Sequence, residues 1–237
     1  MATTSEVLLW RLGAGKAETS PRSILGGTRP HSVRFSPDGL HLAVGTWHGE
    51  VIIWDVVGDS LSERIDAHSR GGVLSLAFSP DGASLASVGD DQIVKLWDVT
   101  GAPKLIYSHK EHQGRIHEVS YSPRGDRLAS VSADGALLVV DLGSQVVRSL
   151  RFPEGLRSVA FAPSGRRIAV GATSGTVTVV DAEKLAARAT LPNHNSSVWD
   201  LAFSPDGAIL ASVSIGQAVT NSGLRSDLGL SDLPKQE

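Results

Sequence analysis

The stretch from Val73 to Val99, VLSLAFSPDGASLASVGDDQIVKLWDV, decides how this chain folds. Val73 to Phe78 alternates at period two, the spacing of a strand with one face turned to a core. Ser79-Pro80-Asp81-Gly82 follows, where proline pre-sets one turn angle and glycine accepts positive φ, so the chain reverses. A second apolar run, Leu85 to Val88, leads into the turn residues Gly89 to Gln92. Ile93 to Asp98 then returns as a β-branched and aromatic segment. The stretch predicts three short strands joined by two tight turns, and such a meander needs neighbours to bury its faces.

The neighbours are written along the chain. The aromatic-turn phrase reads FSPDG at Phe35 and Phe78, YSPRG at Tyr121, FAPSG at Phe161 and FSPDG at Phe203, with spacings of 43, 43, 40 and 42 residues. A closing phrase reads VIIWDV with Trp54 and Asp55, and VKLWDV with Trp97 and Asp98. It decays to LVVDL at Asp141 and VTVVDA at Asp181, and VLLWRL, with Trp10 and Arg11, precedes them all. Between the phrases lie LHLAVGT, ASLASVG, DRLASVS, RRIAVGA and AILASVS. A fourth strand is predicted at ERIDAH from Glu63, KLIYSH from Lys104, RSLRFP from Arg148 and RATLPN from Arg188. Four short antiparallel strands at this period make one blade of a β-propeller. The predicted fold is therefore all-β, with four complete four-stranded blades and a partial blade at each end. That is either an open arc or, if the ends pair, a ring of five.

Taken together, these phrases resemble the tryptophan-aspartate (WD) repeat family, and the resemblance covers Val7 to Ser214. It implies a buried hydrogen-bond chain in each blade, running from a histidine before the first strand, through a serine or threonine and a turn aspartate, to the closing tryptophan. In the second full repeat these are His68, Ser87 or a neighbour, Asp91 and Trp97. The third repeat keeps His112, Ser130 or Ser132, and Asp134, but carries Val140 in place of tryptophan. The first has Gly26 and His48 at the histidine and aspartate positions, leaving Trp54. The fourth has Phe152, Ser174 and Val180, and His194 opens the last. The resemblance also implies that partners are gripped by residues just before the first strand and just before the turn aspartate. Those are Arg29, Trp47, Arg70 and Arg115, with Trp199 and His117 nearby. Arginine and tryptophan suit this role, since each joins a large contact area to directed polar contacts.

Composition narrows the function. The 237 residues are 41% hydrophobic, enough for a sizeable core. With 22 basic and 25 acidic side chains and a net charge of -3, no phosphate-binding surface is expected, and nucleic acid is not expected as a partner. The absence of cysteine removes disulfides and thiolate metal ligands. No run of about 18 apolar residues occurs, so no membrane partner is expected.

Three chemical motifs are suggested by the sequence, and none is complete. Gly13-Ala14-Gly15-Lys16 lacks the first glycine and the hydroxyl residue of a phosphate loop. His109 and His112 have a zinc spacing only if they lie on a helix. Serine, histidine and aspartate abound, but no Gly-x-Ser-x-Gly elbow is present. No cofactor, metal or catalytic residue is therefore expected.

The expected function is a non-catalytic scaffold that assembles other proteins into a complex, with no homo-oligomer indicated. The expected location is the cytoplasm, with the nucleus as the alternative. Competing readings are a regulatory or sensor propeller segment of a larger protein, and a propeller hydrolase or lactonase. Residues 1–214 are expected to form the propeller, as a truncated form of a larger ring in preference to a closed five-bladed one. Residues 215–237 are expected to be a disordered tail.

Overall fold

The structure, a computed structural model, describes residues 6–10, 12–13, 16–17, 21–192, 194–214 and 220–223. Among the described residues every regular element is a strand. The amino-terminal fragment pairs β1 (Val7–Leu9) antiparallel with β4 (Arg22–Ile24), and β2 (Leu12–Gly13) with β3 (Lys16–Ala17) forms a small hairpin between them. The GAGK stretch thus connects two strands; its Ala14 and Gly15 lie outside the described residues.

Four complete blades follow. The first is β5 (Pro30–Phe35), β6 (His41–Thr46), β7 (Glu50–Asp55) and β8 (Ser60–Asp66). The second is β9 (Val73–Phe78), β10 (Ser84–Gly89), β11 (Val94–Asp98) and β12 (Lys104–His109). The third is β13 (Ile116–Tyr121), β14 (Arg127–Ser132), β15 (Ala136–Asp141) and β16 (Val147–Arg151). The fourth is β17 (Leu156–Phe161), β18 (Arg167–Ala172), β19 (Thr176–Asp181) and β20 (Ala186–Pro192). A last sheet holds β21 (Val198–Phe203), β22 (Ile209–Ser214) and β23 (Thr220–Gly223). In every sheet, order along the chain is order in space and all pairs are antiparallel, as the repeat predicted.

Two findings concern the ends. Thr220–Gly223, within the segment expected to be a tail, supplies a third strand by pairing with β22; the rest of 215–237 lies outside the described residues. β1 is bonded to β4, and β22 to β21 and β23, so the ladders of the described residues do not join the two ends into one five-blade ring.

The strands fall into two compact units, residues 1–78 with 82–109, and residues 79–81 with 110–237. In the first, Ala43, Val51, Ile53, Ile65 and Ala67 of one blade pack against Val73, Leu76, Leu85 and Trp97 of the next. In the second, Ala129, Leu137 and Val139 meet Leu156, Val159 and Ile168, and further on Ala169, Val177 and Val179 meet Val198, Leu201 and Leu210. Small residues on the second strands set how close two blades come. A methyl group added at Gly171 would lie 2.2 Å from Ser158 Oγ and 2.7 Å from Val198 Cγ1, so this glycine lets the next blade approach. Polar bonds fix the register between first strands: Val159 N–H donates to Glu118 Oε2 (2.8 Å), and Ser158 Oγ donates to the Val198 carbonyl (3.2 Å).

The turns show why the phrases are spelled as they are. In the turn after β5, Ser36 Oγ donates to Asp38 Oδ1 (2.5 Å), which also accepts Leu40 N–H (2.9 Å), and Gly39 takes φ of 74°. These bonds, Ser36 first, hold the Asp38 carboxyl below its usual value. The closing aspartates build the turns after the third strands. Asp55 Oδ1 accepts Val57 and Gly58 N–H, and Asp181 Oδ1 accepts Glu183 and Lys184 N–H, each at 2.8 to 2.9 Å. Arg188 bridges to the other Asp181 oxygen, its Nε at 2.9 Å. The amide of Lys184, then Arg188, pulls the Asp181 carboxyl down to about 2.

Candidate functional site

The expected hydrogen-bond chain is complete in the second blade, and Ser87 is its serine. β11 carries Trp97 opposite Leu85 of β10, two residues before Ser87, and the loop before β9 brings in His68. Trp97 Nε1–H donates to Ser87 Oγ (2.9 Å), His68 Nε2 lies 2.9 Å from the same oxygen, and His68 Nδ1 lies 2.8 Å from Asp91 Oδ1. One proton arrangement serves all three of these bonds. The Ser87 hydroxyl donates to Nε2, and Nδ1–H donates to the carboxylate. Burial opposes ionisation of Asp91, but the His68 bond, with the Ile93 amide adding to it, outweighs it, and the carboxyl sits below its usual value.

The third blade keeps the inner part of the chain. His112 Nε2 lies 2.9 Å from Ser130 Oγ, which makes Ser130 the partner, while Ser132 Oγ accepts Asp134 N–H (3.2 Å). Asp134 lies 3.4 Å from His112 Nδ1 and accepts Gln113 N–H at 2.6 Å. Burial again opposes its ionisation and is outweighed, first by the Gln113 and Ala136 amides. Val140, in the tryptophan position, is buried, so only a donor to Ser130 is lost. In the first blade the reverse holds. Trp54 Nε1 is buried with no partner among the described residues, because Val44 stands where the serine belongs. The fourth blade is apolar there, with Val170 and Val180 buried and Phe152 packed on the core. In the last sheet His194 bonds Ser212 (2.7 Å) through Nε2, and Ser214 (3.2 Å) takes the Nδ1 position in place of an aspartate.

The His68, Asp91 and Ser87 geometry is that of a hydrolytic triad, and its surroundings decide its use. The Ser87 side chain is fully buried and its oxygen is held by Trp97, so no acyl group reaches it. No group of three or more metal-ligating side chains assembles among the described residues.

The partner-binding candidates stand at the blade ends opposite the Ser-Pro-Asp-Gly turns, and all four are exposed. One bond recurs there: Trp47 N–H to the Arg29 carbonyl, Asp90 to Gly72, Ala133 to Arg115 and Thr173 to Gly155, at 2.8 to 3.2 Å. It gives Arg29 and Arg115 the same place in their repeats and puts Arg70 two residues earlier in its loop. In the first unit Trp47, 46% exposed, is clamped. Its ring lies 4.4 Å from that of His31, and a methyl group added at Gly72 would come 2.9 Å from its Cε3.

In the second unit the structure adds a residue that the sequence reading missed. The Arg157 guanidinium carbon lies 3.1 Å from the centroid of the Trp199 ring, and Trp199 is 43% exposed. Burial, then the charge of Arg115, pulls the Arg157 pKa down. Arg157 is the second residue of its first strand, where other repeats carry His31, His117 and Trp199. Polar or aromatic groups at four of five copies of a strand position were the available signal.

The comparisons with known proteins agree with this architecture. The family model described as "WD domain, G-beta repeat" matches residues 21–55, 59–98 and 186–218, and that described as "Anaphase-promoting complex subunit 4 WD40 domain" matches residues 119–195. The chain belongs to the WD-repeat β-propeller family, whose members are typically protein-interaction scaffolds. Among solved structures, the β-propeller domain of Cps50 (Swd1) from Myceliophteria thermophila is similar, with a TM-score of 0.76 and 20% identity over 87% of this chain and 69% of that one. A sequence comparison with curated proteins found no match.

Proposed function

We propose that this chain is a non-catalytic platform that brings proteins together in a multiprotein complex, gripping them at the blade ends that carry Arg29, Trp47, Arg70 and Arg115. The observation that carries the reading is a division of labour among side chains. The groups able to do chemistry, His68, Ser87, Asp91, His112 and Asp134, are committed to buried bonds that hold blades together. The arginines and the clamped tryptophan face solvent at one end of the blades, where hot-spot residues are useful. One matching family model is named for a subunit of a complex, in keeping with this role.

Affinity capture with the intact chain and with an Arg70→Ala/Arg115→Ala variant tests the reading. The variant is expected to lose partners that the intact chain retains. Recovery of the same stable partners by both proteins counts against the docking face. No partner at all, together with turnover of an ester or lactone panel, would replace the platform by the hydrolase reading.

A further inference from the structure

We propose that Arg157, stacked on Trp199, is a docking site for a carboxylate side chain of an acidic partner polypeptide. The inference rests on the platform reading and names the chemistry of one contact. Guanidinium carries five N–H donors in a planar fork that matches the two oxygens of a carboxylate. Stacking on an indole fixes the plane of that fork and leaves its edge to bond outward.

Among the described residues Arg157 makes no hydrogen bond and no ion pair, and its guanidinium lies over the Trp199 face. That sets it apart from the other half-buried arginines, Arg127 and Arg167, though not from Arg29, Arg70, Arg124 and Arg166, which are exposed. Arg127 donates to the Ala182 and Gly165 carbonyls, Arg167 to Gly207, and Arg188 to Asp181. Carboxylates on neighbouring first strands are used elsewhere, Glu118 on the Val159 amide and Asp200 on that of Leu201.

Arg157 therefore carries a half-buried positive charge, with Arg115 raising the local potential, and no anion among the described residues bonded to it. A carboxylate entering there is attracted by both cations. The exposed part of Trp199 gives the methylenes of a glutamate an apolar surface to lie on. The acidic net charge of the chain disfavours a nucleic acid as the source of the anion.

The probe is a fluorescein-labelled peptide of alternating glutamate and glycine, with its glutamine twin as control, titrated with the full chain by fluorescence polarisation. The glutamate peptide is expected to bind and to weaken as salt rises, and the twin is expected not to bind. Arg157→Gln is expected to lose affinity about tenfold or more, the scale of a hydrogen bond to a charged group. Arg157→Lys, which keeps the charge but loses the fork, is expected to fall between, and Arg124→Gln, at an exposed arginine in the turn after β13, to match the parent.

Absence of binding, equal binding of the twin, or an Arg157→Gln variant with parental affinity overturns the proposal. So does Arg157-dependent binding of tripolyphosphate in preference to the peptide, which would make the site a phosphate site. If Arg157→Gln fails to fold, Arg157→Lys and Trp199→Phe decide by the same criterion. Failure of the peptide with partner capture still dependent on Arg70 and Arg115 removes this contact alone. Capture independent of those arginines counts against the docking face, and no capture at all removes the platform reading.

Discussion

Trp54 and Trp97 close consecutive repeats with the same Trp-Asp phrase and do opposite things. Trp97 completes a chain of bonds through Ser87, while Trp54 buries an indole N–H that finds no acceptor among the described residues, Val44 standing in the serine position. A buried donor without a partner costs about 1–3 kcal/mol. Trp97→Phe is therefore expected to lower stability more than Trp54→Phe, by about that amount, in paired urea unfolding curves. Equal losses would mean that the chain adds nothing beyond packing. Asp181 offers a second test at this scale. Its carboxyl is held at about 2 against an ordinary 3.8, so the native state binds fewer protons than the unfolded one between these values. The stability it supplies is complete above 3.8 and is lost as pH falls towards 2. Acid titration of unfolding should show a flatter profile over that window for Asp181→Asn than for the parent.

At the scale of elements, what matters is how closely one blade can approach the next. Gly171 lies opposite Ser158 in the ladder and faces Val198 across the blade gap, at distances a methyl group cannot share. Gly171→Ala is expected to cost about 1–3 kcal/mol by overpacking, read as a lowered midpoint in thermal unfolding. An unchanged midpoint would show that the gap relaxes freely. Elements also show where sequence reading stops. The strands of the four complete blades were legible because alternation, a Ser-Pro-Asp-Gly-like turn and a closing aspartate recur, and each has a local physical cause. β23 was not legible, since Thr-Asn-Ser-Gly has no apolar period and is a strand only through its pairing with β22. The serine of the chain is ambiguous in the sequence because a period-two strand does not say which of two residues meets an incoming histidine. His68 and His112 settle it as Ser87 and Ser130.

For the whole molecule, the same period that made the fold readable concealed part of the site. Arg29, Trp47, Arg70 and Arg115 could be named because they sit at fixed offsets within one repeat. Arg157 could not, because its environment comes from Trp199 of the next repeat and from Arg115 of the one before. Contacts between repeats are what a repeat pattern omits, and the Arg157–Trp199 pair lies there.

On the platform reading, partners are held at the loop ends of the blades while the buried chains only support the fold. Hydrogen–deuterium exchange of the chain, alone and bound to a captured partner, tests it most directly. The account predicts slowed exchange on binding around Arg29 to His31, Thr46 to Trp47, Arg70 to Gly72 and Arg115 to His117, with the turns at Ser36 to Leu40, Ser79 to Gly82 and Ser204 to Ala208 unchanged. Protection confined to those turns, with the arginine-bearing ends unaffected, would contradict it.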